Sequence, residues 1–128
     1  MPRDGQAHAL RVMRDLRRAG HSNAPLLAAA LLHDAGKSAA HITPLTRSIF
    51  VVLKRLAPGR LARLSNTGWR QPLVALRDHA HIGAEWARRA GCDELTVSLI
   101  ARHQGGIDNI TSEEDRLLRI LQTADDLN

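Results

Sequence analysis

Apolar side chains recur along this chain at three- and four-residue intervals, the period of helices that bury one face. The first run predicts a helix capped by Asp4 and ending at Ala19, with Val12, Met13 and Leu16 inward and Gly20 as the stop. Arg11, Arg14 and Arg18 form its outer stripe. Asn23 and Pro25 open a second helix, Leu26 to about Gly36. It is apolar on nearly every side, which predicts the central, buried helix. Thr43-Pro44 opens a third, carrying Ile49, Val52, Leu53 and Leu56. The run Ile49 to Leu53 also suits a strand, but the helical spacing around it and the lack of a pairing partner favour a helix. Its apolar face is either core or a surface that pairs chains.

Pro58-Gly59 breaks the chain, and a short helix through Leu61 and Leu64 follows. Pro72 starts a segment leading into a helix from about His79 to Ala90, ended by Gly91. Asp93 caps the next, to about Gln104. Ser112 and Asp115 resemble a capping box for a last helix to about Leu127. No β-hairpin signal occurs. The expected fold is all-α: a compact bundle of six to eight helices forming one domain over residues 1–128.

Composition sharpens this picture. At 44% apolar and 24% charged residues the chain is globular in type, not disordered. Phe50, Trp69 and Trp86 are its only aromatics of the Phe, Trp and Tyr class, so the core is aliphatic and no aromatic platform for stacking bases is expected. Charge is segregated. The net charge is +5, and no Asp or Glu occurs from Ala35 to Arg77, where Lys37, Arg47, Lys54, Arg55, Arg60, Arg63, Arg70 and Arg77 all lie. Such a field suits an anionic partner; the alternative is a solvated, arginine-biased surface. Cys92 is the one cysteine, so no intrachain disulfide forms, which suits a reducing compartment. No apolar run is long enough to span a membrane, and the start lacks a signal-peptide pattern. The expected location is cytoplasmic, without a membrane partner.

Helical phase then sorts the polar residues. Asp125 shares a face with Leu118 and Leu121, whereas Asp126 falls with Asp115, Arg119 and Gln122. Asp125 is therefore inward and Asp126 outward. His79 is in phase with Ile82, Gly83 and Trp86, and His81 with Ala84, Glu85 and Arg88, so His79 is the inward one. His103 follows Leu95 and Leu99, His8 sits one turn before Val12, and His33-Asp34 ends the most apolar helix. His21 and His41 fall in expected surface loops. One core histidine is ordinarily a hydrogen-bonded structural residue. Four inward histidines and two inward aspartates call for a shared charge partner, and a divalent metal supplies one. Mixed N and O donors suit Fe, Mn, Zn, Co or Ni, with Mg as a further candidate.

The segment Leu31-Leu32-His33-Asp34-Ala35-Gly36-Lys37 resembles the signature of the HD superfamily of metal-dependent phosphohydrolases. The order His8, His33-Asp34, His79, His103, Asp125 resembles the superfamily's H…HD…H…H…D series, most of all its HDIG group. His79-Ala80-His81-Ile82-Gly83-Ala84-Glu85 and Ile100-Ala101-Arg102-His103-Gln104-Gly105 resemble segments of ribonuclease Y-like HD domains, and Ala124-Asp125-Asp126 the closing A-D. The likeness runs over about residues 5 to 126. It departs where Gln104 replaces a usual second histidine and Ala35 replaces an isoleucine. The GYP extension of cyclic-di-GMP phosphodiesterases and the membrane anchor and KH domain of ribonuclease Y are absent from this sequence. The chain ends soon after Asp125, as a minimal or truncated form would.

The resemblance implies one or two divalent ions. His8, His33, Asp34 and Asp125 would hold the first, and Asp34 would bridge to a second held by His79 and His103. It implies hydrolysis of a phosphomonoester or phosphodiester by a metal-activated water, on a nucleotide-type or other phosphorylated small molecule or a short nucleic acid. Asp34 and Lys37 would be the catalytic residues, the motif favouring phosphate binding by Lys37 over a plain surface lysine. By position alone, Arg102 and Gln104 beside His103 and Arg77 just before His79 are weaker substrate-side candidates, for which solvated surface is the favoured reading of the arginines. The alternative is a non-catalytic HD domain that binds metal and nucleotide as a sensor or interaction module. No Walker loop, dinucleotide fingerprint, nucleophile elbow or CxxC site competes. Oligomeric state stays open.

Overall fold

A computed structural model describes residues 3–39, 44–63 and 71–128, without the side chains of 39, 44–47 and 71. Among them are seven α-helices, a 3-10 turn and no strand, in line with the expected all-α class. The helices are α1 (Arg3–Arg18), α2 (Ala24–Leu32), α3 (Pro44–Leu56), α4 (Pro58–Ala62), α5 (Gln71–Arg89), α6 (Glu94–Arg102) and α7 (Glu113–Asp126); the 3-10 turn, Ala35–Ala39, follows α2. The expectations for His41, Thr43, Leu64, Trp69 and the Arg47 side chain lie outside the described residues. No described helix is long and apolar enough to cross a membrane.

The glycine stops behave as expected. Gly20 (φ +92°) and Gly91 (φ +85°) adopt the left-handed conformation that glycine takes without steric cost. His21 N–H donates to Leu16 and Gly20 N–H to Arg17, and Cys92 and Gly91 repeat the pattern on Ala87 and Arg88. This pairing satisfies the carbonyls at both helix ends. Asn23 caps α2 by accepting from Leu26 N–H. Asp93 occupies the cap position of α6, but its side chain makes no capping bond.

Three boundaries differ from expectation. Helix α5 starts at Gln71, eight residues before His79, because Pro72 falls in its first turn, where the missing N–H costs nothing. Helix α2 stops at Leu32, and the chain then tightens into the 3-10 turn instead of continuing to Gly36. Gly36 is pressed against α5: a Cβ there would lie 1.9 Å from the His79 carbonyl oxygen. Helix α1 already includes Asp4 in its first turn, so Asp4 is no cap.

The core is aliphatic, as expected. Val12 and Leu16 (α1), Leu26, Ala29 and Ala30 (α2), Leu99 and Ile100 (α6), and Leu117, Leu118 and Leu121 (α7) are nearly fully buried in one cluster. Helix α2 is the central one, packed against α1, α6 and α7, while α5 covers α6 and the 3-10 turn. Helix α3 rests on α4 and α5 at the margin. Its Ile49, Val51, Val52 and Leu56 are exposed, so the apolar spacing there does not mark core.

Candidate metal centre

Each inward histidine sits at a point where a helix delivers it to the same place. His33 is the C-cap of α2 and His103 the C-cap of α6, and His79 lies midway along α5. All three are buried. His33 Nδ1 donates to the Ala30 carbonyl (2.9 Å), His79 Nδ1 to Leu76 (2.8 Å) and His103 Nδ1 to Ile100 (2.6 Å). A carbonyl oxygen only accepts, so each Nδ1 carries a proton, and Nε2 is the atom that each ring offers to a metal. The carbonyl three residues back thus selects the tautomer and orients the ring.

Those Nε2 atoms converge on carboxylates. Asp125 Oδ1 lies 2.7 Å from His8 Nε2 and 3.2 Å from His33 Nε2. Asp34 Oδ2 lies 3.6 Å from His33 Nε2 and 3.9 Å from His8 Nε2. The other oxygen, Asp34 Oδ1, faces the second pair, 3.2 Å from His79 Nε2 and 3.6 Å from His103 Nε2. Two donor sets result, His8, His33, Asp34 and Asp125, and Asp34, His79 and His103. Within each set one ligand atom per residue lies within 4.8 Å of the others. Asp34 belongs to both. The six residues expected from helical phase are thus brought together from five helices and the turn after α2.

The geometry fits a divalent ion on physical grounds. His79 and His103 Nε2 are 3.1 Å apart. With both Nδ1 protons fixed on carbonyls, the two Nε2 atoms of neutral rings would face each other as lone pairs, which is repulsive unless a proton or a metal ion is shared. Nitrogens each about 2.1 Å from one ion lie about 3.0–3.4 Å apart at octahedral to tetrahedral angles, so the pair is spaced as ligands are. Charge points the same way. For Asp34, burial favours the neutral acid, but the imidazoles of His103 and His79, with the charges of His33 and Lys37, outweigh it and hold the carboxyl far below its usual range. Burial likewise opposes a charge on Asp125, and His33 and His8 overcome it. His33 is raised: burial disfavours its imidazolium, yet the Asp125 hydrogen bond and the charges of Asp34 and Asp125 win. The pocket therefore gathers anionic carboxylates and stabilises positive charge beside them.

The expected substrate residues fall in different places. Lys37 Nζ lies 3.1 Å from Asp34 Oδ1, half-buried at the edge of the donor cluster. Arg77 forms an ion pair with Asp78 and donates to the Leu61 and Ala62 carbonyls, tying α5 to α4. Arg102 pairs with Glu114 and Asp115, both at 2.7 Å. Gln104 is exposed in the turn after His103.

Asp126 and Arg119 are exposed, as their phase predicts, but Asp115 is not. Asp115, Arg119 and Gln122 share the side of α7 expected to meet water, but they fasten the segment after α6. Asp115 is buried, accepts from Thr111 N–H and Oγ1 as well as from Arg102, and has its own N–H bound by Ser112 Oγ. The expected box is thus half present, since Asp115 reaches Thr111 rather than Ser112. Arg119 donates to the Ile107 carbonyl, and Gln122 Nε2 to those of His103 (3.1 Å) and Gly105 (2.7 Å). Gln122 stands one turn before Asp125, so the helix that delivers Asp125 also holds the backbone of His103. The structure shows Gly36 and Gly83 back to back, a contact no spacing foretold, with a Cβ on Gly83 meeting Gly36 N at 3.2 Å.

Comparison with known proteins gives one positive result: the family model described as HD domain matches residues 5–128. No curated protein and no solved structure matches the chain.

Proposed function

The chain belongs to the HD domain family, a family of metal-dependent phosphohydrolases, and on that premise we propose that it hydrolyses a phosphomonoester or phosphodiester bond of a nucleotide-type substrate. The observation that carries the proposal is the pair of donor sets joined through Asp34. Divalent ions held there supply an activated water near neutral pH and a clamp for phosphoryl oxygens.

The chain's own residues do the rest. Asp34 turns Oδ1 to one set and Oδ2 to the other, so one carboxylate fixes their spacing. The Nδ1–carbonyl bonds keep His33, His79 and His103 aimed before substrate arrives, which removes reorganisation from the reaction. Lys37, beside Asp34 and partly exposed, receives a phosphoryl oxygen and neutralises charge that develops on it. Arg77, Arg102 and Gln104 are secondary contributors to the substrate rim, since both arginines already serve carboxylates. A single Cys92 fits work in a reducing, cytoplasmic setting.

Turnover of bis(p-nitrophenyl) phosphate with Mn or Fe tests the reading. His33→Ala and Asp34→Ala should each abolish it. One observation favours a second reading, a non-catalytic metal- and nucleotide-binding module: the second donor set has only three protein residues, with Gln104 rather than histidine after His103. Tight metal and nucleotide binding without turnover under any divalent ion would decide for that module.

A further inference from the structure

Helix α3 carries a feature that the metal centre does not use. Ile49, Val52 and Leu56 follow at i, i+3 and i+7, one stripe along the helix, and are exposed; Val52 stands at 53% and Leu56 at 80%. Phe50 and Leu53 are only partly exposed, as expected of the side resting on the body of the protein. An aliphatic stripe left in water is costly and marks a contact surface. Its surroundings are cationic: Lys54 and Arg55 on α3, and Arg60 and Arg63 at α4, are all exposed. No carboxylate occurs in the sequence between Ala35 and Arg77, and none among the described residues forms an ion pair with these four.

We propose that this flank of α3 and α4 docks on an anionic lipid bilayer, with Val52 and Leu56 entering the headgroup boundary and Arg55, Arg60 and Arg63 facing the lipid charges. The combination decides the occupant. A nucleic acid would use the cations but has no use for a bare aliphatic stripe. A second copy of this helix would bring the same cations against these, with no carboxylate on the stretch to answer them. A bilayer takes both parts at once, as amphipathic helices with basic flanks do. The contact is with the surface, since no described helix can cross a membrane. The inference is independent of the phosphohydrolase reading.

Sedimentation with phosphatidylcholine vesicles, with and without phosphatidylglycerol, tests it. The full chain should pellet with the anionic vesicles and stay in solution with the neutral ones. Val52→Asp/Leu56→Asp should lose the binding, and Arg55→Gln should weaken it roughly fivefold, the usual share of one cation at such a surface. Both changes lie on exposed positions, so the variants should keep the wild-type melting curve, which makes a loss of binding readable. Equal binding to both vesicles, or unaltered binding by the double variant, would overturn the proposal. So would wild-type self-association that the double variant abolishes, which would give the stripe to a second copy. Salt-sensitive binding to a polynucleotide without any vesicle binding would overturn it equally.

Discussion

The Gly36→Ala variant probes the packing that brings the second donor set together. A Cβ at position 36 would stand 1.9 Å from the His79 carbonyl oxygen and 2.8 Å from both Gly83 N and the His79 carbonyl carbon. These are backbone atoms of α5, so no side chain can swing aside. Ordinary contact begins near 3.4 Å, so the turn must lift from α5 by about 1.5 Å. Asp34 lies two residues before Gly36 and moves with the turn. Its Oδ1 now stands 3.2 Å from His79 Nε2, and a lift of this size breaks that approach. Overpacking of this kind costs about 1–3 kcal/mol, and for a chain of this length each kcal/mol lowers Tm by about 3–5 °C. Thermal unfolding of the metal-free protein should therefore show a drop of about 3–15 °C. Elemental analysis should show loss of the ion bound by Asp34, His79 and His103, with the set that includes His8, His33 and Asp125 less affected. Gly59→Ala is the control, since nothing lies within 4 Å of a Cβ there. A Gly36→Ala protein that melts like the wild type and carries the same metal would refute the close approach of the turn to α5, and with it the bridging position of Asp34.

Metal titration followed by calorimetry should proceed in two steps, the four-residue set filling before the three-residue set; a single step taking up two ions together would show that the sets do not differ in strength. Gln122→Leu removes the donor to the His103 and Gly105 carbonyls and should weaken the later step, read from the absorption of a bound Co ion, while sparing the earlier one; equal weakening of both would deny that Gln122 acts through His103. The metal-free protein should be most stable between about pH 4 and 6.5: the lowered Asp34 and Asp125 contribute above their usual 3.8 and lose this as pH falls, and the raised His33 contributes fully below 6.5 and loses this as pH rises. Urea unfolding across pH checks it, and His33→Gln should remove the decline on the alkaline side.

The six donor residues were legible in the sequence because each stands on a regular helix or at its cap, where spacing from apolar neighbours fixes direction. His79 and His81 differ by two positions, about 200° of helical turn, so one is buried and the other exposed. Asp125 is likewise partly buried beside an exposed Asp126. What spacing encodes is the direction in which a side chain leaves its helix. It does not encode what waits there. The stripe Ile49, Val52, Leu56 is as periodic as any core face, yet no described element covers it, because α3 leans on α5 through another side.

The polar face of α7 shows the converse. Asp115, Arg119 and Gln122 have the phase of solvated residues, but the segment from Arg102 to Thr111 folds back over them and turns their polar atoms into its hydrogen-bond partners. A segment without regular structure must satisfy its own backbone carbonyls, and a neighbouring polar face is a cheap source of donors. Arg77 follows the same logic, reaching the carbonyls of Leu61 and Ala62 at the end of α4. Long, flexible side chains find these acceptors only after the helices dock. The direction of the six candidate donors therefore follows from local phase, whereas the devices that hold them in register, Gln122 on His103 and Gly36 against α5, depend on contacts between distant parts of the chain.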